Sequence, residues 1–171
     1  GSAAVVDHLV ELGHEHVAHI HAGAIGASGG RRQGYERAMT RHGLERHIRS
    51  VRGAFTEAGG MAAMRSMIET GDLPTAVFVT NDLAAMGALE ALAAAGLRVP
   101  EDVSLVGYDD IITSHSARVA LTTVAQPSVE IGQRAVGLLM ERVGQGRTRA
   151  HHVVLPPRLV VRGSTAAPRA R

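Results

Sequence analysis

The sequence predicts an α/β fold, a doubly wound parallel sheet with helices on both faces. Three observations lead there. Short, continuously apolar runs such as Ala76-Val77-Phe78-Val79 read as strands covered on both sides. Strand starts recur about every 30 residues with a helical pattern between them, the length of a βαβ unit. Glycines close the helical runs, at Gly13, Gly43 and Gly96.

The elements follow in order. Val5, Val6, Leu9, Val10 and Leu12 recur at helical spacing, and Gly13 ends that helix. Residues 16–22 read as a strand opening into a Gly-rich loop at 23–29, followed by a helix over 30–42. A second strand over 48–53 leads to a helix over 57–69, with Met61, Met64 and Ile68 on one face. A strand over 75–79, an Ala/Leu-rich helix over 82–95 and a strand over 103–107 complete the regular part. After Asp110 the rhythm changes. Residues 121–124 read as a short strand, and Pro127 precedes a helix over 128–143, where its missing N–H costs nothing. Residues 152–155 and 159–162 read as two strand pieces joined through Pro156-Pro157.

Composition sets further bounds. The 171 residues suffice for one domain with a proper core. Aromatic residues are 2% and Trp is absent, so that core is built from Ala, Val, Leu, Ile and Met. The absence of Cys excludes disulfides, thiolate zinc sites and thiol catalysis. A formal charge of +2, with scattered basic residues, gives no electrostatic footprint for nucleic acid. No apolar run approaches the ~20 residues of a membrane span. The chain opens on a helix with no strand before it, as expected of a piece of something longer.

Gly26-Ala27-Ser28-Gly29-Gly30 matches the G-x-S-x-G pattern of a hydrolase elbow. An elbow needs its serine directly between strand and helix, with an oxyanion donor from an earlier loop of the same sheet. Gly23-Ala24-Ile25 intervenes here, and no earlier strand-end loop exists, so Ser28 is expected on a flexible loop. The glycine spacing also misses the dinucleotide fingerprint, and the chain has no lysine for a P-loop. His14, His16, His19 and His21 lie close together but without the spacing of convergent zinc ligands, and read as packed or surface side chains. No metal, cofactor or catalytic residue is expected.

Ligands of doubly wound sheets sit at the carboxyl ends of the strands. Arg31, Asn81 and Asp109 occupy such positions. A guanidinium fork, an amide and a carboxylate converging on one place suit a polyhydroxylated ligand such as a sugar. Phe55 adds an apolar face for a ring. The competing reading is structural: Asn81 or Asp82 as a helix N-cap.

Six stretches carry a resemblance. They are Val-Asp-His-Leu-Val-Glu-Leu-Gly-His at 6–14, Arg-Arg-Gln-Gly-Tyr at 31–35, the run from Pro74 to Gly87 through Asn81-Asp82, the run from Gly96 to Asp110 ending Gly-Tyr-Asp-Asp, Leu-Thr-Thr-Val-Ala-Gln-Pro at 121–127 and Leu-Val-Val-Arg-Gly-Ser-Thr at 159–165. In this order they resemble the regulatory part of the lactose/galactose repressor (LacI/GalR) family of bacterial transcription regulators. The resemblance implies a fold like that of the type I periplasmic sugar-binding proteins, two subdomains with an effector in the cleft between them. Residues 1–120 would be the C-terminal subdomain, 121–150 a crossover strand and helix of the other subdomain, 151–165 the return, and 166–171 a disordered tail. It implies hydrogen bonds from Arg31, Asn81 and Asp109 to effector hydroxyls, an aromatic contact from Phe55, and Gln126 lining the cleft. Ser128 stands where some members carry a second aromatic, and the loop at 23–29 lacks their polar contacts. The implied partners are a small-molecule effector of the sugar type, a second copy of the chain, and operator DNA through a headpiece outside this sequence, with no membrane, in a cytoplasmic regulator. A sugar-binding protein of a transport system and a serine hydrolase using Ser28 are the alternative readings.

Overall fold

The structure, a computed structural model, describes residues 1–115, 120–144 and 148–169. Its elements are α1 (Ser2–Glu11), β1 (Val17–His21), α2 (Gly26–Arg41), β2 (Arg49–Arg52), α3 (Glu57–Glu69), β3 (Ala76–Val79), α4 (Asp82–Ala94), β4 (Ser104–Val106), β5 (Thr123–Ala125), α5 (Ser128–Gly144) and β6 (Arg158–Val160). Four strands form a parallel sheet in the order β2-β1-β3-β4. Beside β4 the sheet extends through parallel bridges from Val106 to Thr122 and from Asp109 to Ala125. The doubly wound α/β architecture is the one the sequence predicts.

Successive residues of a strand face opposite ways, so the sheet divides the interior in two. Ala18, Ile20, Val77 and Val79 pack with Met64 and Met67 of α3 and with the alanines and Leu92 of α4. On the other face Val17, Ala76, Phe78 and Val106 pack with Val5, Val6 and Leu9 of α1 and with Tyr35 and Met39 of α2. The α3–α4 pair is unusually intimate. A Cβ on Gly60 would lie 1.9 Å from the Ala84 carbonyl oxygen, and one on Gly87 would lie 1.8 Å from that of Glu57. Only glycine permits backbones to approach so closely.

Four expectations are corrected. Helix α2 begins at Gly26 rather than Gly30, so the Gly-rich stretch is its first turn and not a loop. The Ser28 hydroxyl accepts from the Ala22 N–H at 2.7 Å and donates to the Gly23 carbonyl at 3.1 Å, which folds the chain straight from β1 into the helix. Residues 152–155 form no strand; β6 pairs antiparallel with β5 instead of across the prolines. Residues 121–125 are buried against β4, whereas nothing in α5 is buried, so the chain leaves this body at Gln126-Pro127 and not at Leu121. Residues 166–169 are not a loose tail. Ala166 exchanges hydrogen bonds with the Ser104 side chain, its carbonyl accepts from His14 Nε2 at 2.8 Å, and Arg169 pairs with Asp102. His8 adds a 3.0 Å bond to the Thr165 hydroxyl. Residues 170 and 171 of the expected tail lie outside the described residues.

Helix α5 stands apart from both cores. Val129, Val136, Leu139, Met140 and Val143 are all more than half exposed. No described helix is long and apolar enough to cross a membrane.

Candidate functional site

Phe55, Asn81, Asp109 and Gln126 lie just past the carboxyl ends of strands, and Arg31 reaches the same end of the sheet from α2. Arg31 lies in the second turn of α2, the helix that Ser28 anchors to the end of β1. Its Nη1 donates to the Thr80 carbonyl at the end of β3, and its Nη2 reaches Asp109 Oδ1 at 2.9 Å. The guanidinium lies over the Tyr108 ring, 3.8 Å from its centroid. Stacking and two hydrogen bonds hold the planar fork in one orientation.

Asp109 follows β4 in a conformation that few side-chain-bearing residues adopt, with φ of 110°, and Asp110 follows at 56°. The turn is braced from below by Asp82. That carboxylate is fully buried; Oδ1 accepts from the Thr123 hydroxyl at 2.6 Å and Oδ2 from the Ile111 N–H at 2.9 Å. Burial raises its pKa, and the charges of Asp109 and Asp110 add to the rise, against the two hydrogen bonds that pull it down. A Cβ on Gly107 would come within 2.1 Å of Asp82 Oδ1, so only glycine admits the carboxylate here. Asp110 turns the other way, to Arg162 at 2.6 Å and His115 at 3.0 Å. Burial works to raise the Asp110 pKa, but Arg162 and His115 outweigh it and hold it low.

Gln126 ends the buried crossover and donates from Nε2 to Asp109 Oδ1 at 2.7 Å. Arg31, Asp109 and Gln126, from three separate segments, therefore meet on one oxygen atom. Among the described residues nothing donates to Asp109 Oδ2, and the side chain retains 30% exposure. Asp109 and Gln126 open onto a cleft of about 1010 Å3 that runs below α5, and Arg31 and Gln126 onto a second of about 530 Å3 beside α1.

Asn81 and Phe55 form a second group. Asn81 caps α4, its Oδ1 accepting from the Ala84 N–H at 3.0 Å, while its Nδ2 donates to the Phe55 carbonyl at 3.0 Å. Of Asn81 and Asp82, the asparagine is thus the cap. The Phe55 side chain is exposed, and neither residue lines the two clefts. Thr80, Tyr108 and Asp82 were not among the predicted site residues. Tyr108 was legible from its place between Gly107 and Asp109; the roles of the Thr80 carbonyl and the Asp82 carboxylate depend on contacts across 49 and 41 residues.

The remaining candidates have structural partners. The Ser28 hydroxyl is engaged as both donor and acceptor. His14 bridges Thr75 and Ala166. His19 donates from Nδ1 to the Phe78 carbonyl and stacks on the Phe78 ring, and burial drives its pKa down to about 3.

Comparison with known proteins shows the family and the fold. The chain matches the model of the periplasmic binding protein-like domain over residues 6–165. It is 36% identical over 170 residues to the HTH-type transcriptional repressor PurR of Haemophilus influenzae, covering 96% of this chain and 50% of that protein. It is 40% identical to the PurR repressor of Proteus mirabilis, over 93% of this chain and 47% of that protein. The chain thus spans about half the length of these relatives. Among solved structures, a LacI transcriptional regulator from a Rhodococcus species superposes with a TM-score of 0.93 at 37% identity, over 98% of this chain and 62% of that one. A LacI family regulator from Enterococcus faecium with bound ribose gives 0.90 at 29% identity, over 99% of this chain and 63% of that one. The chain belongs to the periplasmic binding protein-like domain family, and within it to the effector-binding part of the LacI/GalR transcriptional regulators.

Proposed function

We propose that the chain is the C-terminal share of the effector-binding part of a cytoplasmic, dimeric regulator. Its effector is a polyhydroxylated small molecule of the sugar class, and its role includes no catalytic step. The observation that carries this is the meeting of Arg31, Asp109 and Gln126 on one carboxylate oxygen, with Asp109 Oδ2 left to accept a ligand hydroxyl. Asn81 and Phe55 contribute from the neighbouring strand ends once the cleft closes. The ribose-bound regulators of Enterococcus faecium and Enterococcus faecalis, 29% and 30% identical, support a sugar as the ligand class. Residues 1–125 and 151–165 form one lobe, and α5 belongs to the other lobe, which the preceding half of the regulator completes. Effector binding changes the closure of the lobes and so repositions paired DNA-binding headpieces; such coupling requires the ligand to favour one closure over the other.

Calorimetry on the full-length regulator, titrated with ribose and a panel of other pentoses and hexoses, tests this. Saturable binding to one of them is expected, weakened roughly 10- to 100-fold by Arg31→Gln or Asp109→Asn, the loss of a hydrogen bond to a charged group. A sugar bound with unchanged affinity by both variants, or no binding across the panel, would overturn the proposal.

A further inference from the structure

The amino ends of β1, β2 and β3 converge at the end of the sheet far from Arg31 and Asp109. His16 precedes β1, Arg46 and His47 lie in a short 3-10 turn before β2, Arg49 opens β2, and Asp72 lies in the turn before β3. A cavity of about 260 Å3 lies among these side chains.

The hydrogen bonds fix what that cavity offers. Arg49 donates to the Asp72 carbonyl, to the Asp72 carboxylate at 3.3 Å and to the Thr70 hydroxyl at 3.2 Å. The one carboxylate lining the cavity is therefore engaged by an arginine that it holds in place. Arg46 donates from Nε to His47 Nε2 at 2.9 Å. An arginine N–H only donates, so His47 Nε2 is an acceptor and the ring carries its proton on Nδ1. The Nη groups of Arg46 and the Nδ1–H of His47 are then donors with no acceptor among the described residues. The His16 ring lies 4.2 Å from that of His47 and adds a further N–H. Asp72 Oδ1 accepts from no described residue, but that side chain is 80% exposed and its charge is offset by Arg49. The donors of Arg46, His47 and His16 beside two guanidinium groups favour an oxyanion. A water occupies about 30 Å3 of liquid, so the space also admits part of the molecule that an anionic group esterifies.

We propose that His16, Arg46, His47 and Arg49 form a binding site for phosphate or a phosphate monoester at the amino end of the sheet, distinct from the effector cleft. The recess opens to solvent, where charge interactions are screened, so its affinity is modest.

Proton NMR of the histidine ring resonances tests the proposal on this chain, at fixed pH and ionic strength. Sodium phosphate is titrated against a sodium chloride control, and glycerol 3-phosphate in a parallel series. The His16 and His47 signals are expected to move saturably with phosphate and not with chloride. Arg46→Gln should weaken the effect at least about tenfold, the loss of a charged hydrogen bond, while Arg65→Gln, at an exposed position of α3, leaves it unchanged. Tighter binding of glycerol 3-phosphate identifies an ester as the ligand, and equal binding identifies phosphate itself. Shifts that grow linearly, match chloride or persist in Arg46→Gln would overturn the site.

Discussion

At the scale of the residue, the side chain with the most at stake is Asp82. It joins the start of α4, the turn after β4 and the buried crossover, and it places Asp109 beside Gln126 without lining the cleft. Replacing it with alanine strands the Thr123 hydroxyl and the Ile111 N–H, each worth roughly 1–3 kcal/mol when left unpaired. Asp82→Ala is therefore expected to lower unfolding stability by about 2–6 kcal/mol in urea titration. A loss below about 0.5 kcal/mol, typical of surface substitutions, would show that the carboxylate is not the brace described. Asp109 was legible because it follows an apolar strand, and Arg31 because it lies early in the helical stretch after the first strand. Asn81 had two readings, as ligand contact and as cap, and the cap is the one realised within this chain. Ser28 was misplaced because a glycine-rich run reads as a loop, and the bonds that make it a helix start lie in the preceding strand end.

At the scale of the element, glycine content means opposite things in different helices. Gly60 and Gly87 sit where α3 and α4 touch backbone to backbone, whereas Gly132 and Gly137 of α5 have open space around them. A methyl at position 60 must separate the two helices, at a cost of about 1–3 kcal/mol. A methyl at position 137 meets nothing and improves helix propensity by about 1 kcal/mol. Thermal melts should place Gly60→Ala below the parent and Gly137→Ala at or above it; Gly60→Ala melting with the parent would refute the close packing. Strand and helix order was legible because the apolar runs and glycine stops recur regularly. The pairing of β5 with β6 was not, since it joins segments on either side of α5, and Pro156-Pro157 suggested a local turn instead.

At the scale of the whole molecule, two properties follow from what is buried and what is not. His8, His14 and His19 are all held below the ordinary histidine pKa, chiefly by burial, His19 down to about 3. Each binds its proton more weakly when folded than when unfolded, so the unfolded chain binds more protons below about pH 6.5, a window that for His19 extends down to about pH 3. Stability is then full above about pH 6.5 and is lost as pH falls through that window, with His19 alone accounting for about 2 kcal/mol at pH 5. Urea midpoints at pH 7 and pH 5 measure this, and the slope should flatten in His19→Phe; an unchanged midpoint would contradict it. The second property is the bare apolar face of α5, which is costly to leave in water at ~25 cal/mol per Å2. Light scattering of this chain alone should show concentration-dependent association that Leu139→Glu with Met140→Glu abolishes. A monomer at all concentrations, with α5 ordered, would count against that.

The tie between α1 and the segment after β6 bears on when the fold can close. His8 reaches Thr165 across 157 residues, and His14 reaches Ala166 across 152. On a ribosome adding about 5–20 residues per second, β1 to β4 emerge seconds before that segment does. Until it arrives, the Ser104 hydroxyl and the Leu105 N–H beside it lack the partners at Ser164 and Ala166 that complete this side of the sheet. Contacts so distant in sequence form slowly, because the loop must be closed before they reward it. The nascent chain thus passes through an interval with an unfinished sheet edge, when association with other chains competes with its own completion.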